Sequence, residues 1–148
     1  MNGYDDKSEI CGFASDLIDV ADLYERAADK VGDDHLADSL RRWGARRRRM
    51  ADVLLTKAGI SGEPQGSLLP TPDEVWLELK ALFSSADSAL AAAVRSADEM
   101  VMVALESYLD HAQPPGSAAV AATWLHSELQ RELGPTETRP DTSQKQPG

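Results

Sequence analysis

Near the start of the chain, apolar residues recur at alternating spacings of four and three: Ile10, Ala14, Leu17, Ala21, Tyr24, Ala28 and Val31. At about 100° of rotation per residue, that spacing holds one stripe of a helix toward its neighbours, whereas a half-buried strand needs strict alternation. The same rhythm returns at Leu36, Leu40, Trp43, Arg47, Met50 and Leu54, and again at Leu90, Val94, Ala97, Val101, Ala104 and Tyr108. Three seams of one period predict an all-α chain of amphipathic helices packed side by side. Aromatics make up only 5% of 148 residues, which agrees with close-packed helices rather than sheets. The length suits one domain with a substantial core.

Punctuation sets the boundaries. Residues 1–8 are polar and expected to be flexible, with Ser8 as the N-cap of a first helix over 9–31. Gly32 is expected as the residue after its C-terminus, and Asp33 or Asp34 as the N-cap of a second helix over 34–58, which stops near Gly59. "GISGEPQGSLLPTP" forbids a helix until Pro72 can occupy a first-turn position behind Thr71. A short extra helix is expected over 72–83, where Val75, Trp76, Leu79, Leu82 and Phe83 share a broad face, followed by a break at "SSAD". A helix over 86–111 ends before "QPPG". The last, over 117–133, carries a looser stripe of Val120, Ala121, Trp124, Leu125, Glu128, Leu129 and Leu133. Residues 134–148 offer no apolar anchor and are expected to be a disordered tail. Short first and last connections with a long middle one predict a four-helix bundle with one crossover; an up-down-up-down bundle with a decorated loop is the alternative.

The successions "LIDVADLYERAADKVGDDHL" and "SLLPTPDEVWLELKALFSSADSALAAAVRSAD" resemble a bacterial ferritin-like four-helix-bundle family known only as a domain of unknown function. "LYERAAD" is similar to that family's aromatic-x-x-Ala-Ala-acid turn on the first helix. "SLLPTPDEVWLELKALFSSAD" resembles its linker, and His126 a histidine of its last helix. The resemblance spans about residues 10–133 and implies a ferritin-like bundle with a long crossover between its second and third helices.

Ferritin-like proteins that hold iron or manganese use inward carboxylates with Glu-x-x-His pairs, because residues i and i+3 share a helix face and can grip one ion. This chain contains no Glu-x-x-His. Where the family can carry inward glutamates, the chain has Ala21 and Ala97, and its second helix offers Arg46 and Arg47. The resemblance therefore implies a metal-free member, with no cofactor and no catalytic residue expected. Lone Cys11 has neither the spacing of a metal site nor a partner for an intrachain disulfide. His35, His111 and His126 are expected in separate parts of the bundle; His111 faces a helix C-terminus, where its charge is favoured, and His126 is expected to be a buried hydrogen-bonding residue. Asp16, Asp19, Asp22, Glu25 and Asp29 form an acidic ladder, expected to be solvated or salt-bridged because it lacks the loop that wraps calcium. No Gly-rich phosphate loop or Gly-x-Ser-x-Gly appears.

The start "MNGYDDKSEI" lacks a secretory n-region and h-region, and no apolar run approaches the roughly 20 residues that span a bilayer, so a cytoplasmic protein without membrane association is expected. A formal net charge of -10 opposes nucleic-acid partners. "RRWGARRRRM" departs from that balance: residues 35–58 carry a net +5, against -7 in residues 1–34 and -8 in residues 59–148. Arg41, Arg42, Arg48 and Arg49 point away from the seam and form a candidate basic surface. Gly44 suits a close helix approach. Arg47 falls at the centre of the seam, where an unpaired guanidinium would cost several kcal/mol. Glu25 or Glu128 is the expected partner. The resemblance and the charge pattern thus predict a metal-free ferritin-like bundle acting through protein association, as a homodimer or with another protein. A di-iron or manganese protein and a nucleic-acid binder using the basic surface are the alternatives.

Overall fold

A computed structural model describes residues 6–61 and 87–133. These residues form four α-helices and no strand: α1 Asp6–Lys30, α2 Asp34–Ala58, α3 Asp87–Ala112 and α4 Gly116–Leu133. The expected short helix over 72–83 and the tail 134–148 lie outside the described residues. Among the described residues, no helix is long and apolar enough to cross a membrane.

Local chemistry fixes the helix ends. Asp33, with φ -84° and ψ 119°, caps α2 by accepting the His35 amide at 3.1 Å. Gly59 takes the left-handed conformation (φ 73°) at the other end. There its amide donates to the Thr56 carbonyl at 3.0 Å and the Ile60 amide to Leu55 at 2.9 Å, closing the helix as a Schellman motif. Gly32, expected to turn in the same way, does not have positive φ. The Asp87 carboxylate instead accepts the Gly32 and Asp33 amides, both at 3.1 Å, so the first residue of α3 holds the α1–α2 turn. For residues 6–8 the expected flexible start is corrected too; residues 1–5 lie outside the described residues. The first helix begins at Asp6, with Ser8 inside it, because the Tyr108 hydroxyl anchors the Asp6 carboxylate at 2.7 Å and Asp6 and Glu9 place negative charge on the first turn.

Contacts between helix ends give their directions. Tyr108 near the end of α3 meets Asp6 and Phe13 at the start of α1, the Phe13 and Tyr108 rings lying 5.6 Å apart. Ser117 at the start of α4 donates to the Ala58 carbonyl closing α2, at 3.2 Å. Arg95 of α3 donates to the Leu133 carbonyl that ends α4, at 2.9 Å. Hence α1 and α4 run one way and α2 and α3 the other. Around the bundle the order is α1, α2, α4, α3, with α1 and α4 on one diagonal. The last residues of α2 and the first of α3 therefore lie at opposite ends of the bundle.

The seams meet in a core of Ile10, Phe13, Leu17, Val20, Leu23, Leu40, Leu54, Val94, Val101, Leu105, Leu125 and Leu129, each fully or nearly fully buried. Burying each of the larger apolar side chains contributes about 1.5–3 kcal/mol. Three expectations shift. In α3 the stripe passes through Asp98 and Leu105, both at 0% exposure, while Ala104 is half-buried. In α4, Val120 is 59% exposed and Ala118, Ala121 and Ala122 face inward. Three alanines let α4 approach closely, which a β-branched residue there would hinder. In α1, Asp16, one member of the ladder expected to be solvated or salt-bridged, is buried at 0% exposure. It follows Phe13 by three residues and precedes Val20 by four, so the buried stripe is wide enough to include it.

Candidate functional site

The four helices converge on one polar cluster. Arg47, at the middle of α2, is 2% exposed. Its Nε donates to Asp98 Oδ1 at 2.8 Å and its Nη2 to Asp98 Oδ2 at 2.7 Å, the parallel fork that guanidinium and carboxylate form best. This contact crosses the core from α2 to α3, a pair that α1 and α4 separate around the bundle. The third nitrogen, Nη1, donates to Glu132 Oε1 on α4 at 2.7 Å, and the exposed Arg46 donates to Glu132 Oε2 at 2.8 Å. From α1, the Tyr24 hydroxyl donates to Asp98 Oδ2. The Arg47 guanidinium lies 5.5 Å from the Tyr24 ring centroid, and Trp43 packs edge-on against that ring at 5.9 Å.

Two cations, Arg46 and Arg47, thus face two carboxylates, Asp98 and Glu132, with a phenol completing the set. Burial works against the Arg47 charge, but the hydrogen bonds to Asp98 and the charge of Asp98 outweigh it, so the guanidinium is held above its ordinary range. For Glu132, burial pushes the carboxyl up and hydrogen bonds from Arg47 and Arg46 pull it down further, leaving it below the usual glutamate value. Burial, then the Asp98 charge, push the Tyr24 phenol well above its ordinary value. It therefore stays protonated and donates. Arg47, Glu132 and Tyr24 are thus held in their hydrogen-bonding ionisation states at neutral pH, which suits a structural network and not a general base.

Gly44 makes this geometry possible. A Cβ there would come 3.1 Å from the Ala21 carbonyl oxygen, 3.3 Å from Tyr24 Cβ and 3.4 Å from Glu25 Cγ. Without a side chain, α2 lies close on α1 and brings Arg47 beneath the Tyr24 ring.

The expected partners of Arg47 are corrected. Glu25 is bound by Arg48, whose Nη2 and Nε donate at 2.8 and 3.0 Å, and that hydrogen bonding holds its carboxyl below the usual value. Glu128 is bound by Arg131 at 2.9 Å. Glu25 sits on the outer side of the α1–α2 interface, and Glu128 lies one turn short of Glu132, which follows Leu125 by seven residues and Leu129 by three. Of the candidate basic surface, Arg41 pairs with Asp29 at 3.3 Å and Asp38 at 3.8 Å, and Arg48 with Glu25. Arg42 donates to Ser39 at 3.2 Å, and Arg49 is exposed. The acids of α1 thus take up part of the stripe. The histidines are dispersed: His111 is exposed at the end of α3, near the Ser107 carbonyl, and His126, expected to be buried, is part-exposed and 2.9 Å from Glu106.

Ala21 and Ala97, both buried, supply methyl groups to the centre of the bundle. Asp98 and Glu132, which do reach it, already receive guanidinium nitrogens. Among the described residues, no group of three or more His, Cys, Asp or Glu side chains is placed to hold a metal ion. This donor set does not fit a di-iron or manganese centre, whose ions need several free carboxylate oxygens and imidazoles.

Asp98 and Glu132 escaped the sequence reading, and the missed signal was a choice of register. Val94, Asp98, Val101, Leu105 and Tyr108 repeat at four and three as well as the set through Ala97 and Ala104 does. The presence of Leu105, larger than Ala104, favours the register that draws Asp98 inward. The chain matches no protein-family model, no curated protein and no solved structure.

Proposed function

We propose that this chain is a ferritin-like bundle in which an internal ion-pair network stands where metal-binding relatives hold their ions, and that it acts through protein association rather than by catalysis. The observation that carries the reading is Arg47, buried mid-bundle and forked onto Asp98 and Glu132. A fixed cation there neutralises the two carboxylates it touches and repels a divalent ion. The common direction of α2 and α3, with their connected ends at opposite ends of the bundle, supports a connection over residues 59–86 that runs the length of the bundle, as in ferritin-like folds.

The pairing of Arg41 and Arg48 with acids weighs against nucleic-acid binding, as does the formal charge of -10. Metal analysis of the full chain purified without chelator, followed by anaerobic calorimetric titration with Fe(II) and Mn(II), tests the reading. The expected result is no stoichiometric metal and no saturable heat. One or two ions bound per chain would overturn it.

A further inference from the structure

We propose that the groove between α2 and α4 binds a small carboxylate carried on a flat apolar body. Trp124 and Met50 receive the body and Arg49 receives the carboxylate. The proposal goes beyond the metal-free reading and does not depend on it.

Two adjoining hollows of about 240 Å³ and 320 Å³ open along this face and share Arg46, Glu128 and Glu132. Both lie near or below the lower limit of drug-sized pockets, roughly 300–1,000 Å³, so the ligand they suit is small. Their apolar surface comes from tryptophans at two levels, Trp124 with Met50 and Val53 in one hollow and Trp43 in the other. Half-buried indoles beside a concave surface offer a flat face without the cost of ordering a flexible side chain.

The charges of the groove select an anion. Its two carboxylates are committed, Glu132 to Arg46 and Arg47 and Glu128 to Arg131. Arg46 and Arg131 are likewise occupied. Arg49 lines the groove and, among the described residues, has no carboxylate partner, while Lys57 Nζ lies 5.6 Å from the Trp124 ring centroid. Arg49 is therefore the lining cation left to answer a ligand's charge, one turn before Val53 on α2. A guanidinium grips a carboxylate through a planar fork. Glu128 and Glu132 oppose a doubly charged phosphate more strongly than a monoanion, which favours the carboxylate.

The test is calorimetric titration of the full chain at low salt with phenylacetate, and with benzyl alcohol and benzylamine as neutral and cationic controls. Saturable binding of phenylacetate is expected, with weaker or no binding of the controls. Arg49→Gln, at an exposed position, should leave the thermal melt unchanged and weaken phenylacetate binding at least about tenfold through loss of the guanidinium fork. Glu128→Gln should tighten it by removing an opposing charge. Absence of saturable binding, equal binding of benzylamine, or an Arg49→Gln affinity equal to the parent's would each overturn the proposal.

Discussion

Six arginines stand within ten residues of α2, and their surroundings give them unequal weight. Arg48 and Glu25 are both substantially exposed, so Arg48→Gln should cost less than about 1 kcal/mol. Tyr24 donates to a buried carboxylate, and Tyr24→Phe removes that hydrogen bond while keeping the ring over Arg47. Its expected cost is about 1.5–3 kcal/mol, the range for hydrogen bonds to charged groups. Urea denaturation of the two variants beside the parent checks the contrast. Equal costs would mean that burial does not set the value of these contacts. At this scale the sequence identified Arg47 as the arginine out of place but not its partners, because a partner depends on which side chains other helices bring to the same height. Glu25 and Glu128 were reasonable in charge and wrong in position.

At the scale of helices, the α1–α2 pair depends on Gly44. A larger side chain must displace the Ala21 carbonyl, which is backbone and cannot rotate away. Gly44→Leu improves helix propensity by up to about 1 kcal/mol yet overpacks the interface at a cost of about 1–3 kcal/mol or more. A net fall in Tm is expected, accompanied by loss of the near-ultraviolet signal of Trp43 against Tyr24; a rise in Tm would contradict the close approach. Element boundaries were largely legible, since Asp33 and Gly59 have one common use each at helix ends. The α3 stripe was not, because two registers one residue apart satisfy the same period, and apart from the greater bulk of Leu105 over Ala104 it is packing against Tyr24 and Arg47 that distinguishes them. The α1–α2 turn was legible in position, with Asp33 as its cap, but not in what holds it, because the Asp87 carboxylate comes from the start of α3.

Across the whole molecule, charge is arranged in layers, with an acidic α1 beside a basic α2 and an ion-pair network inside. Glu132 and Glu25 have folded values lowered from 4.5. A depressed carboxyl contributes stability that is present above its unfolded value and is lost as pH falls through the folded one. Stability should therefore hold from about pH 7 to pH 5 and decline below about pH 4.5. In urea melts across that range, Glu132→Gln should show a shallower acid decline than the parent; an identical profile would remove Glu132 from the account. In a mobility shift with duplex DNA, no complex is expected even at low salt, because a chain of net charge -10 meets the duplex with repulsion.

Arg47 is tolerated in the core because Asp98 answers it. A double-mutant cycle of Arg47→Met and Asp98→Leu, followed by urea denaturation, measures this directly. Each single change leaves a buried charge without its main partner and is expected to cost about 3–5 kcal/mol, whereas the double variant removes both charges and should recover much of that loss. The predicted coupling is about 2 kcal/mol or more; costs that add to within about 0.5 kcal/mol would show that the two residues do not act as a pair.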